Sequence, residues 1–215
     1  MYLRFFKRFF DISISFIGIV VAAIPMLLIA IIVKLDSNGP VIFKQERLGY
    51  KGKVFNILKF RTMTVGAEKT GSGVYSFEGD TRVTKVGKIL RATSLDELPQ
   101  MFNILKGDMS IIGFRPPLTY HPWKIEEYSP EQLRMFDVLP GLSGWAQVNG
   151  RKNVEWHKRI ELNVWYSENV SFWLDIKIFF LTIFKVLKNE DNENQACTVA
   201  STPISAENEN IKSEK

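Results

Sequence analysis

Between Arg91 and Pro116 the chain places two adjacent carboxylates, Asp96 and Glu97, between arginines at 91 and 115. Guanidinium forks match phosphate oxygens, and hard carboxylate oxygens suit Mg²⁺. The pattern therefore fits a site that holds a phosphate anion and a divalent cation together, with Asp96 and Glu97 as metal-binding candidates. Lys59 and Arg61 stand at i and i+2 in Lys59-Phe-Arg-Thr-Met63. On a strand they share one face and could read one phosphate. Two plainer readings stay open. Ser94-Leu-Asp-Glu97 also matches a helix capping box, and surface arginines form ion pairs worth only ~0–1 kcal/mol. Pro99 would cost a hydrogen bond in a helix begun at Ser94, which moves the expected helix start to about Pro99.

The elements that must position these groups begin with an uncharged run from Ile12 to Val33. It is long enough to span a bilayer, which takes roughly 20 apolar residues. Basic residues flank it on both sides, with Arg4, Lys7 and Arg8 before it and Lys34, Lys44 and Arg47 after it. Such residues prefer the cytoplasmic side, so both ends are expected there. Pro25, near the middle, removes an N–H and crowds the preceding turn, so it is the expected break of a re-entrant helix. Ser13 and Ser15 lie too far away to satisfy carbonyls freed at such a bend. An ordinary span kinked at Pro25 is the alternative. A cleavable signal peptide is disfavoured by the length of the run and the lack of a small-residue cleavage pattern. An anion site tethered to a bilayer points to a substrate with a charged head and an apolar tail, such as a lipid phosphate.

Beyond Asn38-Gly-Pro40, the stretches 41–46 and 54–60 predict a β-hairpin. The Gly-, Ser- and Thr-rich segment 66–79 is either a loop that closes over substrate or a solvated connector. Ser129-Pro-Glu-Gln132 carries helix-start signals. Pro140 to Arg151 contains Gly141, Gly144 and Gly150, which would let backbone N–H groups approach a ligand. The segment 172–188 is apolar but interrupted by Asp175, Lys177 and Lys185, so it is expected to lie on a membrane surface or against a partner. After residue 189 the composition predicts a disordered tail.

Composition narrows the classes. At 215 residues with 46% hydrophobic content, one globular body is expected. The lone Cys197 rules out an intrachain disulfide, and with only two histidines a structural zinc site is excluded. Any metal should be oxygen-bound. The formal charge of +5 includes an acidic tail, so the body itself is more strongly basic. That favours an anionic membrane surface or phosphorylated substrates. No nucleic-acid motif supports the competing partner.

Taken together, these segments resemble the bacterial sugar transferase family of small monotopic polyprenyl-phosphate phosphoglycosyl transferases. The likeness runs from Lys7-Arg-Phe-Phe-Asp11 to Leu174-Asp-Ile-Lys177 and stops at the tail. Its specific parts are Lys59 to Met63, Arg91 to Gln100, Gly107 to Ser110, Arg115-Pro116, Pro140-Gly141 and Gly144 to Arg151. The resemblance implies transfer of a sugar 1-phosphate from a UDP-sugar to undecaprenyl phosphate, with release of UMP. It makes Asp96 the nucleophile of a covalent aspartyl-phosphosugar intermediate and gives Glu97 a metal- or lipid-phosphate-positioning role. It also implies a requirement for Mg²⁺. Lys59, Arg61, Arg91 and Arg115 become the expected phosphate contacts, and Gln147 and Arg151 the expected nucleotide contacts. The implied location is the cytoplasmic face of a bacterial inner membrane, in contact with its lipids.

The expected fold is a helix-rich α+β body. Residues 1–36 form the basic N-terminus and re-entrant helix, 37–188 the catalytic domain with interfacial helices, and 189–215 the tail. Two positions depart from the family pattern: Phe114 stands where Pro is frequent before Arg115-Pro116, and Asn163 where Asp is common. Two other functions compete. One is a membrane-associated glycosyltransferase that moves only the sugar and releases UDP. The other is a non-catalytic adaptor in which Asp96 and Glu97 merely cap a helix. The sugar, the glycan pathway and any self-association are not readable from the sequence.

Overall fold

The computed structural model describes residues 2–70, 73, 79–149 and 155–187. Arg151, Gly150, half of the loop at 66–79 and the tail lie outside the described residues. Helix α1 spans Lys7–Asp36 without interruption through Pro25, about 45 Å at 1.5 Å per residue. Among the described residues it alone is long and apolar enough to cross a membrane.

Its two faces differ. Lys7, Asp11, Ser15 and Val33 are buried, Gly18 lies close against Met101, and Met26, Ile29 and Ala30 pack on Phe60 and Leu90. These positions recur at helical spacing and form one stripe along the body. The opposite stripe, including Phe16, Ile17, Val21, Ile24 and Leu27, is apolar and exposed.

The expected hairpin forms. Strands β1 (Ile42–Leu48) and β2 (Val54–Phe60) pair antiparallel, with Ile42 opposite Phe60 and Leu48 opposite Val54. Helix α2 (Lys85–Ala92) begins at Thr84, whose hydroxyl accepts from the Gly87 N–H, a conventional N-cap. Helix α3 (Gln100–Lys106) starts just after Pro99, where the missing N–H belongs to an unpaired first turn anyway. It ends at Gly107 in the left-handed region, whose N–H returns to the Asn103 and Ile104 carbonyls. Arg8 of α1 also donates to the carbonyls of Ile104, at 2.6 Å, and Leu105, at 2.9 Å.

A second, parallel pair joins β3 (Ser110–Ile112) to β4 (Gly141–Ser143). The helices α4 (Trp145–Val148), α5 (Trp156–Glu168) and α6 (Phe172–Leu187) complete the chain. The fold is thus helix-rich α+β. Its main core gathers Phe114, Trp123, Met135, Phe136, Tyr166 and Ile178, and a smaller one Phe55, Ile57, Ile104 and Met109. Phe114, the first departure from the family pattern, is fully buried, with its ring edge-on to Phe136 at 5.3 Å. Asn163, the second, is buried in α5, and its Oδ1 has no hydrogen-bond partner among the described residues.

Ser129 and Gln132 form the expected capping box, each backbone N–H donating to the other's side chain, ahead of a 3₁₀ helix at Gln132–Asp137. On α6, Ile178 and Asp175 turn inward while Trp173, Phe180 and Phe184 stay exposed.

Candidate active site

Asp96 and Glu97 sit on a single 3₁₀ turn, Leu95–Glu97, between α2 and α3. Ser94 enters it with φ 57°, in the left-handed region that is uncommon for residues other than glycine, and its side chain makes no capping bond. The capping-box alternative therefore does not form. Ser94 instead reverses the chain after α2, and the helix restarts after Pro99 as expected.

Three cations converge on this turn. Lys59, near the end of β2, places Nζ 2.6 Å from Glu97 Oε1 and 3.7 Å from Asp96 Oδ2. Arg115 donates from Nη2 to the same Glu97 oxygen at 3.0 Å. Arg91, on α2, donates from Nε to Thr62 Oγ1 at 2.8 Å and lies within electrostatic reach of Asp96.

The two carboxyls consequently diverge. Burial would raise Glu97, but Lys59 and Arg115 override it and hold the carboxyl well below the usual range. Burial raises Asp96; Lys59 opposes the shift and the neighbouring Glu97 charge adds to it. Glu97 is thus an anion paired with two cations, and Asp96 beside it lies 3.7 Å from one of them.

Arg61 does not join them. The strand ends at Phe60, so the alternation that would put Lys59 and Arg61 on one face stops before it applies. The Arg61 guanidinium turns into the C-terminal end of α1, donating to the carbonyls of Ser37 at 2.6 Å and Val33 at 3.2 Å. Its Nε and Nη1 are buried without a partner among the described residues. Arg61 closes a helix end in this structure rather than facing the carboxylates.

Gln147 lies on α4, with both side-chain polar atoms buried and unpartnered among the described residues. Nothing in the geometry brings it to Asp96 or Glu97. The glycines before it serve a different purpose from ligand approach. Gly113 donates to Ser143 and Gly141 donates to Phe114, both at 2.8 Å. A methyl group added at Gly141 or Gly144 would collide with the Gly113 backbone. They allow backbone to approach backbone where β3 meets β4.

The donor set suits Mg²⁺. Asp96 and the second oxygen of Glu97 supply hard oxygens, and no group of three metal-ligating side chains occurs among the described residues. One or two carboxylates completed by substrate phosphates is the usual arrangement for this ion.

Several residues that hold the site in place were not singled out for that role from the sequence. Asn103 accepts from the Leu58 N–H at 3.0 Å and donates to the Asn56 carbonyl at 2.8 Å, so α3 is fixed to the strand that bears Lys59. Asp11 accepts from Ser110 Oγ and the Ile111 N–H at 3.0 and 2.9 Å. Lys7 pairs with Asp175 at 2.6 Å, and Asp175 also accepts from the Tyr2 and Tyr166 hydroxyls. The available signal was a Lys and an Asp four residues apart at the edge of an apolar run, a costly placement unless paired.

The family model described as bacterial sugar transferase matches residues 2–189. The sugar transferase EpsL of Bacillus subtilis (strain 168), whose name marks it as uncharacterized, is 42% identical over 86% of this chain and 88% of its own length. A UDP-glucose:undecaprenyl-phosphate glucose-1-phosphate transferase of Klebsiella pneumoniae is 43% identical over 86% of this chain but 41% of its own length. A UDP-N-acetylgalactosamine-undecaprenyl-phosphate N-acetylgalactosaminephosphotransferase of Aeromonas hydrophila is 41% identical over 85% of this chain and 44% of its own length. The chain thus spans less than half of these two longer relatives. A match over nearly its whole described length shows that it belongs to the bacterial sugar transferase family.

Proposed function

We propose that this protein transfers a sugar 1-phosphate from a UDP-sugar to undecaprenyl phosphate through a covalent intermediate on Asp96, releasing UMP. The observation that carries this reading is the divergent pair on one turn: Glu97 fixed by Lys59 and Arg115, Asp96 beside it at 3.7 Å from Lys59. Relatives named as sugar-phosphate transferases acting on undecaprenyl phosphate support it.

An Asp96 oxygen attacks the sugar-bearing phosphorus, and the bond from that phosphorus to UMP breaks, UMP leaving with the electron pair. An oxygen of the lipid phosphate then attacks the same phosphorus and displaces Asp96 as a free carboxylate. Covalent catalysis thereby divides a transfer between two anions into two steps at one site. Lys59, Arg91 and Arg115 orient the phosphates and offset their charge. Asp96 and Glu97 would hold Mg²⁺, which would supply further neutralisation of the diphosphate.

The anchor is monotopic in this reading. The first turns of α1 bond to Asp175, Ser110 and the end of α3, while its last residue accepts from the Val86 N–H at 3.3 Å. One body grips both ends, so both belong on one side of a bilayer, with the exposed apolar stripe facing lipid. The exposed aromatic residues of α6 supply a second lipid-facing surface, and the catalytic body stands on the cytoplasmic face.

The test is to incubate detergent-solubilised protein with Mg²⁺, undecaprenyl phosphate and a panel of UDP-sugars, measuring UMP and UDP separately. UMP release that needs the lipid and vanishes in Asp96→Asn is expected. UDP release would indicate transfer of the sugar alone.

A further inference from the structure

Arg115 has a second neighbourhood besides Glu97. Arg47, on β1, donates from Nη1 to the Pro116 carbonyl at 3.0 Å and from Nε to Gln45 Oε1 at 3.0 Å. Its backbone also bridges to Leu118. Its hydrogen bonds to described residues therefore all end on neutral oxygens, and no described carboxylate lies within ion-pair distance of it. The loop continues to His121, whose ring meets Trp156 at 5.1 Å, and Arg159 lies over the Trp156 ring at 4.5 Å.

Burial and then the Arg115 charge lower both Arg47 and Arg159 to about 10, with Glu68 and Glu97 opposing the shift at Arg47. His121 is lowered by burial, then by Arg47 and Arg159. Arginines gathered along one loop, Arg47 through the Pro116 carbonyl and Arg159 through Trp156 and His121, with the Arg115 side chain 44% exposed, repel one another and favour an arriving anion. A purely structural Arg47 that pins the 116–118 loop to β1 is the plain alternative.

We propose that Arg47, Arg115 and Arg159 form the cradle for the phosphate of the leaving nucleoside monophosphate. This rests on the phosphosugar-transfer reading and deepens it by dividing the work among the cations. Lys59 and Arg91 flank Asp96 and serve the phosphoryl group that is transferred. Arg115 stands at the junction, and the Arg47 and Arg159 side receives the charge that develops on the departing phosphate. Stabilising a leaving group where its charge appears is the use that preorganised guanidinium groups serve best.

The experiment compares full-length wild type with Arg47→Lys and Arg159→Gln. Titration calorimetry with UMP measures binding, and steady-state assays measure UMP inhibition, donor KM and lipid KM. UMP affinity should fall roughly tenfold in Arg159→Gln. Arg47→Lys should lose less, because it keeps the charge and forfeits the fork. UMP inhibition and donor KM should weaken in step, with lipid KM unchanged. Variants that keep the wild-type melting temperature and bind UMP as wild type does would reduce Arg47 to a loop pin and overturn the cradle. A rise in lipid KM with donor KM unchanged would assign the cluster to the acceptor and also overturn it. Wild-type protein that releases no UMP from any donor would instead remove the underlying reaction, a distinguishable failure.

Discussion

The Lys59 ammonium donates to Glu97 Oε1 at 2.6 Å across 38 residues of chain, joining the end of a β-strand to a 3₁₀ turn. The same ammonium sits 3.7 Å from Asp96, so it sets how readily that residue ionises.

The acid limb of kcat/KM should therefore report Asp96. Burial raises its folded value, with Lys59 opposing, so the limb should lie above the roughly 3.9 of a free aspartate. Lys59→Met removes the opposing charge and should move the limb to higher pH, besides lowering the rate. A pH profile with the limb unmoved in Lys59→Met would count against this coupling.

Glu97 has the opposite sign. Its folded value is depressed, so its stabilising contribution is complete above the unfolded value of roughly 4.3 and is lost as pH falls toward the folded value. Glu97→Gln should destabilise the protein by about 2 kcal/mol at neutral pH. The gap in denaturant midpoint from wild type should shrink as the pH drops below that unfolded value.

Lys7 and Asp175 are both buried at their 2.6 Å contact. Lys7→Met leaves a carboxylate in the interior with only the Tyr2 and Tyr166 hydroxyls. A cost of about 3 kcal/mol is expected, seen as a drop in melting temperature of roughly 6–12 °C. Lys7→Met combined with Asp175→Leu should recover part of that loss.

Topology is open to labelling. Leu3 and Asn38 flank α1 and are exposed. Cysteines placed at each, with Cys197 replaced by Ser, should both resist an impermeant maleimide in intact cells and both react after lysis. Labelling of one alone in intact cells would mean that α1 crosses the membrane.

Gly144→Ala tests the backbone contact at β4. A methyl there meets the Gly113 carbonyl oxygen, so the β3–β4 pairing must part. The variant should fold poorly and lose activity together, with near-UV circular dichroism as the measure.

The hairpin and the restart after Pro99 were legible because alternation, turn residues and a missing N–H are local signals. Asp96, Glu97, Lys59, Arg91 and Arg115 were brought together by chemical type, and the structure clusters them. Arg61 went elsewhere because a two-residue period holds only inside a strand, and β2 stops one residue earlier. The three glycines from 141 to 150 invited a ligand-loop reading, and only the tertiary path reveals that Gly141 and Gly144 face another backbone segment. Lys7 could not be paired with Asp175, nor Asp11 with Ser110, from sequence, since these partners lie 168 and 99 residues apart and no periodicity encodes such distances.

That separation has a consequence for synthesis. The first turns of α1 leave the ribosome before the body that follows, and their buried Lys7 waits for Asp175, 168 residues later. At about 5–20 residues per second the interval is on the order of ten to thirty seconds. During it the apolar helix can meet a bilayer while the polar groups at its start are still uncovered. The order of emergence would seat the chain on lipid before the body closes around Asp11 and Lys7, so each molecule would mature already at the surface where its acceptor resides.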